Sequence, residues 1–213
     1  NRKDKNGKYY VNPDKQTWFH DRNFRLAVDY AIDRKNMVLN IANGIGAPLF
    51  TPESLNSIFL NKNLKPYDKD LQKSKDLLKK SGLYTDNKGR LFDKHGHRVV
   101  FDLYTNAGNT EREAIGVMVK QDLEDLGMKV NFKPVEFNSL VNKLVSTNDW
   151  DMVIMGLTGS PLEPNGGKNV WLSDGRLHIF NQRLPEEGKA NILPWEKEID
   201  YYFTQGALAT KFE

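Results

Sequence analysis

Between residues 99 and 157, strand-like runs alternate with stretches of helical spacing, and this alternation constrains the fold more than any other feature of the sequence. Val99-Val100-Phe101-Asp102-Leu103-Tyr104 is rich in the β-branched and aromatic residues that suit a pleated sheet. Thr110-Glu111-Arg112-Glu113 matches a capping box, and Ala114 to Leu126 continues at helical spacing to a stop at Gly127. Lys129–Val135 reads as a second strand, followed by a helix through Leu140, Val141, Leu144 and Val145. Met152–Leu157, apolar apart from Gly156, reads as a third strand buried on both faces. The pattern predicts an α/β fold with a mostly parallel (mixed) sheet flanked by helices. Ligands on such sheets bind beyond the carboxyl ends of the strands. That points to two loops on one edge, Tyr104–Arg112 and Gly156–Gly167. In the second loop, Gly156 and Gly159 leave the main chain open to a ligand, or else serve an ordinary turn.

The flanking sequence is read in the same way. Residues 1–20 form a polar connector, with Tyr9-Tyr10-Val11 as a short edge strand, and a lobe spans 21–213. From Asp21, apolar residues Phe24, Ala27, Val28, Ala31 and Ile32 recur at helical spacing. Asp33 then caps a helix that Gly44 closes. Residues 45–54 are extended and packed. A helix starting at Tyr67-Asp68 runs to Gly82, with Lys69, Lys73, Lys79 and Lys80 on a solvated face. Turn signals on either side of Arg90-Leu91-Phe92 predict a small surface hairpin. A last helix, from Trp195 through Ile199, Tyr202 and Phe203, is still running at Glu213, so the chain is expected to be cut within it.

Composition narrows the function classes. The 31 basic and 28 acidic residues are interspersed, so the formal charge of +3 is a mixed solvated surface and nucleic acid is not an expected partner. The absence of cysteine excludes disulfides, thiolate metal sites and thiol catalysis. His95 and His97 flank a glycine in a turn-rich stretch, and with His20 and His178 they complete no metal-ligand spacing, so neither metal nor cofactor is implied. Gly159-Ser160-Pro161 lacks the nucleophile-elbow pattern. A hydrolase would have to rest on Ser160 or His178.

Several stretches together resemble the extracellular solute-binding proteins of family 5, the oligopeptide, dipeptide and nickel receptors of ABC importers. They are Phe24 to Arg34, Gly44 to Pro48, Tyr67 to Gly82, Leu126 to Val130 and Trp150-Asp151-Met152, with Trp195 to Phe212 similar to the family's C-terminal helix. The resemblance implies the C-terminal lobe of a type II periplasmic-binding-protein-like clamshell, joined by residues 1–20 to an N-terminal lobe absent from this sequence. Its implied partners are a peptide or other small-molecule ligand and the importer's permease subunits. It also implies a periplasmic or extracellular location, with membrane contact only through a lipid anchor outside this stretch.

The same resemblance places ligand contacts at Gly156, Leu157, Thr158, Gly159 and Ser160, where Ser160 takes the position of an aspartate that holds a peptide's amino terminus. A hydroxyl cannot neutralise an ammonium, so that role is either lost or moved to Glu163. Arg112 stands where dipeptide-binding members place an arginine for the peptide carboxylate, or it is a first-turn helix residue facing water. Tyr104, Asn106, Asn109, Asn165 and Trp171 complete the candidate set, with Trp171 and Trp150 either stacking on a ligand or half-buried in the core. The amides of Asn106, Asn109, Asn165 and Asn169 keep an oligosaccharide ligand open, and a sensor lobe of a regulator is a further alternative.

Overall fold

Side-chain caps decide where the first helices begin. Asn12 Oδ1 accepts from the Asp14 N–H at 2.8 Å at the head of α1 (Pro13–His20), and Asp21 Oδ1 from Asn23 at 2.7 Å at the head of α2 (Arg22–Ala31). Asp33 and Asp70 cap α3 (Arg34–Ile41) and α4 (Leu71–Lys80) in the same way. Helix α4 therefore starts later than the expected Tyr67-Asp68, because Asp70 is the carboxylate that reaches the free N–H groups of the first turn.

Five strands follow from the next stretch. β1 (Tyr84–Thr85) and β2 (Leu91–Phe92) pair antiparallel. β3 (Val100–Asn106), α5 (Thr110–Glu124), β4 (Lys129–Val135), α6 (Phe137–Asn142) with a π-helical turn at Lys143–Thr147, and β5 (Met152–Val153) then alternate. Beyond them lie α7 (Lys168–Trp171) and α8 (Pro194–Leu208). The computed structural model describes residues 3, 6, 7, 9–157, 162–181 and 192–209. The chain divides into two units, one of Asn1–Phe50 with Lys65–Gly156, the other of Thr51–Leu64 with Leu157–Glu213.

In the first unit, β3 is the middle strand of a three-stranded parallel sheet ordered β4-β3-β5, as the alternation predicted. The period of two along β3 separates its faces: Phe101, Leu103 and Thr105 are fully buried, while Asp102 and Asn106 are half-buried. The buried face packs with Phe24, Ala27 and Ala31 of α2, Leu78 of α4, and Val119 and Leu123 of α5. Each buried Phe, Leu or Val among them contributes about 1.5–3 kcal/mol relative to an exposed one. Phe19 bridges the layers, its ring edge-on to Phe24 at 5.7 Å and to Phe101 at 5.6 Å. Helix α5 comes so close to β4 that a Cβ at Gly116 would lie 2.2 Å from Phe132 Cε2.

Several expectations change here. The stretch read as a polar connector contributes α1, whose Trp18 is 4% exposed and donates its indole N–H to Asp93 Oδ2 at 3.1 Å. The expected strand at 9–11 is reduced to one bridge between Lys3 and Tyr9. The hairpin is fastened to the core rather than purely superficial, because Leu91 is buried and its N–H donates to Gly127 O at 2.8 Å. Of the lysines read as solvated, Lys69 pairs with Asp122 at 2.7 Å and Lys73 donates to the Tyr30 hydroxyl at 2.7 Å. Residues 45–54 are less packed than expected, with Ile45 and Leu49 exposed. The expected six-residue buried strand is shorter and only partly buried: β5 is an edge strand covered on one side by β3, and Leu157 is exposed.

In the second unit, a polar clasp holds α8. Glu196, the third residue of that helix, is fully buried against His178, and Asp200, one turn later, accepts from the Ser173 N–H at 2.8 Å and its hydroxyl at 2.6 Å. Helix α8 ends at Leu208 with Ala209 extended, so it closes before the end of the sequence, contrary to the expectation.

Candidate functional site

The carboxyl end of β3 assembles the best-formed part of the site. After Asn106 the chain turns at Gly108, whose φ of 84° is the left-handed region that favours glycine. Asn109 then caps α5 by accepting the Arg112 N–H at 2.9 Å, and Glu113 Oε1 reaches back to the Gly108 N–H at 2.8 Å. The cap is thus Asn109 rather than the predicted Thr110, and Asn109 is committed to helix geometry. This arrangement turns Arg112 back over the end of β3, where Nη1 donates to Asn106 Oδ1 at 2.7 Å.

β5 brings Gly156 to the same end. The Ile154 N–H donates to Tyr104 O at 2.8 Å and the Thr105 hydroxyl to Ile154 O at 3.0 Å, carrying the register past the formal strand. A Cβ at Gly156 would stand 2.7 Å from Arg112 Nη2, so the guanidinium rests against bare main chain there. The structure therefore unites Asn106, Arg112 and Gly156. Among the described residues no carboxylate pairs with Arg112, whereas Lys15, Lys133 and Lys143 pair with Asp151, Asp102 and Asp149 at 2.5, 2.6 and 2.5 Å.

Tyr104 does not join this group. It is 5% exposed, lies on the polar face of the sheet, and donates its hydroxyl to Asp102 Oδ2 at 3.2 Å, with Lys143 Nζ 5.0 Å and Lys133 Nζ 5.6 Å from its ring centroid. Asp102 also accepts from Asn131 at 2.9 Å. Burial pushes the Asp102 carboxyl up, but the hydrogen bonds from Lys133 and Asn131 outweigh it and hold the group below its ordinary range.

A separate cavity of about 320 Å³ in the same unit is lined by Asp29, Arg34, Pro48, Leu49, Phe50 and Tyr67, among others. Its basic side chains all have acidic partners, Arg34 with Asp29, Lys35 with Asp68, and Lys69 with both Asp33 and Asp122, so it offers no unpaired cation.

In the second unit, Glu163 Oε1 accepts the Gly166 N–H at 3.1 Å and caps a short turn at Pro164–Gly167, which carries the exposed Asn165. Trp171 is half-buried beside Phe180 with centroids 5.9 Å apart, and Phe180 stacks on Trp195 at 6.0 Å and 23°. This row of rings went unread in the sequence; its only signal was the aromatic content of three separate segments. His178 is 1% exposed with both ring nitrogens bonded, to Val170 O and Glu196 Oε1, both at 2.9 Å, so it offers no free nitrogen for hydrolysis. Thr158, Gly159 and Ser160 lie outside the described residues. His97 Nδ1 sits 3.3 Å from both Asp14 and Asp93, and among the described residues no group of three or more His, Asp or Glu could hold a metal ion. No described helix is long and apolar enough to cross a membrane.

Arg112 and the open main chain of Gly156 thus lie at the carboxyl end of a parallel sheet, the edge where ligands bind on sheets of this kind. The model of bacterial extracellular solute-binding proteins, family 5 Middle, matches residues 2–177, and the chain belongs to that family. The oligopeptide-binding protein AppA of Bacillus subtilis (strain 168) is 32% identical over 146 residues, covering 67% of this chain and 27% of its own length. Its structure in complex with a nonapeptide superposes with a TM-score of 0.70 at 26% identity, over 91% of this chain and 40% of that one. The periplasmic binding protein MelB of Agrobacterium fabrum C58, in complex with stachyose, gives 0.78 at 21% identity, over 94% and 32%. The fold is that of type II periplasmic binding proteins. The chain spans only 27% and 34% of the length of the first two curated relatives it matches.

Proposed function

We propose that this chain is the C-terminal lobe of the substrate-binding receptor of an ABC importer, taking oligopeptides between itself and an N-terminal lobe. The receptor would act outside the cytoplasm, in the periplasm or at a lipid-anchored cell surface, and deliver its ligand to permease subunits. The observation that carries this reading is Arg112, a half-buried guanidinium without a carboxylate partner among the described residues, beside the exposed main chain of Gly156. A peptide carboxylate fits a guanidinium bidentately, and a peptide backbone fits an open strand end. The peptide-binding name of the similar AppA supports the same ligand class. Calorimetry of the full-length receptor with pooled tri- to nonapeptides should give micromolar or tighter binding. If the receptor ignores every peptide pool but binds sugars, the oligopeptide reading fails.

A second reading, an oligosaccharide receptor, has its own support. The Trp171, Phe180 and Trp195 rings offer flat apolar faces of the kind that stack on sugars, Ser160 replaces the carboxylate expected for a peptide amino terminus, and the stachyose-bound MelB shares the fold. Stachyose and raffinose in the same calorimetric series separate the two.

A further inference from the structure

We propose that Asn106 is a positioning residue that holds Arg112 as a fixed, uncompensated cation, so that the receptor distinguishes a ligand ending in a carboxylate from the same ligand ending in a neutral amide. This rests on the peptide reading above. Several other cations of the first unit are tied down by acids: Lys15 by Asp151, Lys69 by Asp122, Lys133 by Asp102, Lys143 by Asp149 and Arg90 by Asp86. An acid orients a cation and cancels its charge together. Asn106 separates those effects, because its amide oxygen accepts one N–H at 2.7 Å and brings no charge. The other side of the head is fixed by the missing side chain at Gly156, whose Cβ would fall 2.7 Å from Nη2. Asn106 takes one of the five N–H groups, and the rest remain for an anion.

The position of Arg112 in its helix argues the same way. It is the third residue of α5, after Asn109 at the cap, in a turn where the backbone dipole disfavours a cation and where its neighbours are Glu111 and Glu113. An arginine serving only helix stability is better placed at the other end. A bound anion at this end satisfies the guanidinium and the dipole together. Because Asn106 terminates the central strand, the head is already oriented before ligand arrives, and less side-chain freedom is lost on binding.

The test uses the full-length receptor and random pentapeptide pools, one with free carboxyl termini and one amidated, in equilibrium dialysis read by mass spectrometry. The wild type should retain free acids about tenfold better than amides, as expected for a charge-assisted pair. N106A, which loses the anchor, should reduce that ratio to about threefold, and R112Q should bring it near one. The decisive variant is N106D, which keeps an acceptor at the same place but neutralises the guanidinium. It should abolish the acid preference while leaving the melting temperature unchanged or raised. Asn106→Asp with an undiminished acid preference overturns the proposal, as does wild-type protein that retains both pools equally; the second result leaves the peptide-receptor reading standing. Retention of neither pool overturns that reading and this one with it.

Discussion

His178 Nε2 and Glu196 Oε1 lie 2.9 Å apart with both side chains buried, and His178 Nδ1 faces Val170 O at the same distance. The ring thus bridges a main-chain carbonyl and a buried carboxylate through its two nitrogens. Burial pushes the Glu196 carboxyl up, but hydrogen bonds from His178, the Leu193 N–H and Asn181 prevail and hold it below its ordinary range. Glu196→Ala leaves the buried His178 Nε2 without its partner and should cost the second unit about 1–3 kcal/mol, whereas replacing both residues by leucine should cost less than the single change. Urea unfolding of the three proteins measures the difference; a double variant as unstable as Glu196→Ala rules out a compensated pair.

Acid should act on the first unit through Asp102. Its folded carboxyl titrates below the ordinary value of 3.8, so the stability it contributes is complete above pH 3.8 and is lost as pH falls through the lower folded value. Lys133, raised above 10.5 chiefly by its hydrogen bond to Asp102, contributes below pH 10.5 and is lost as pH rises beyond its folded value. Asp102→Asn should therefore lower the melting temperature at pH 7 and lose that deficit as pH drops below 3.8. A deficit constant from pH 7 to 2 would show that shape rather than charge is responsible.

Gly116 is set by packing. A methyl group there meets Phe132 ring atoms at 2.2 and 2.3 Å, and that ring, carried by β4, is packed against the hydrophobic core. Gly116→Ala gains helix propensity but overpacks the contact, and a net loss of about 1–3 kcal/mol is expected in chemical denaturation. A stabilised variant would mean that the sheet and α5 can separate freely.

At Gly156 the same substitution should behave in the opposite way. The near atom is the end of a flexible side chain, so Gly156→Ala should leave the melting temperature almost unchanged while displacing the Arg112 head and weakening peptide binding about tenfold. Calorimetry beside thermal melting separates the two effects, and equal affinity would place the ligand away from Gly156.

Much of this architecture was legible because the stop and start signals are local. Gly82 and Gly127 hold φ of 77° and 85° past the helices they were expected to end, and the bounds of β4 match the predicted strand Lys129–Val135. β5 was overread because an apolar run shows that side chains avoid water but not which partner covers them, and here one neighbouring strand does so on one edge. The α5 cap was ambiguous because Asn109 and Thr110 both suit the role; Glu113 reaching Gly108 decides it. Arg112 and Asn106 are both legible as candidates, but their contact is not, since six residues across a turn give no period to read. Likewise nothing in the spacing of His178 and Glu196 announces a pair; only the fold of the second unit brings them together.

The central position of β3 has a further consequence. Asn106 closes a strand hydrogen-bonded along its length to β4 and joined to β5, with Phe101, Leu103 and Thr105 immobilised behind it. The proposed ligand wall is thus an extension of the buried core rather than a loop that adapts. Drift in the core should show up as altered selectivity before it shows up as lost structure, making substrate preference in this lobe a sensitive gauge of how well its interior is packed.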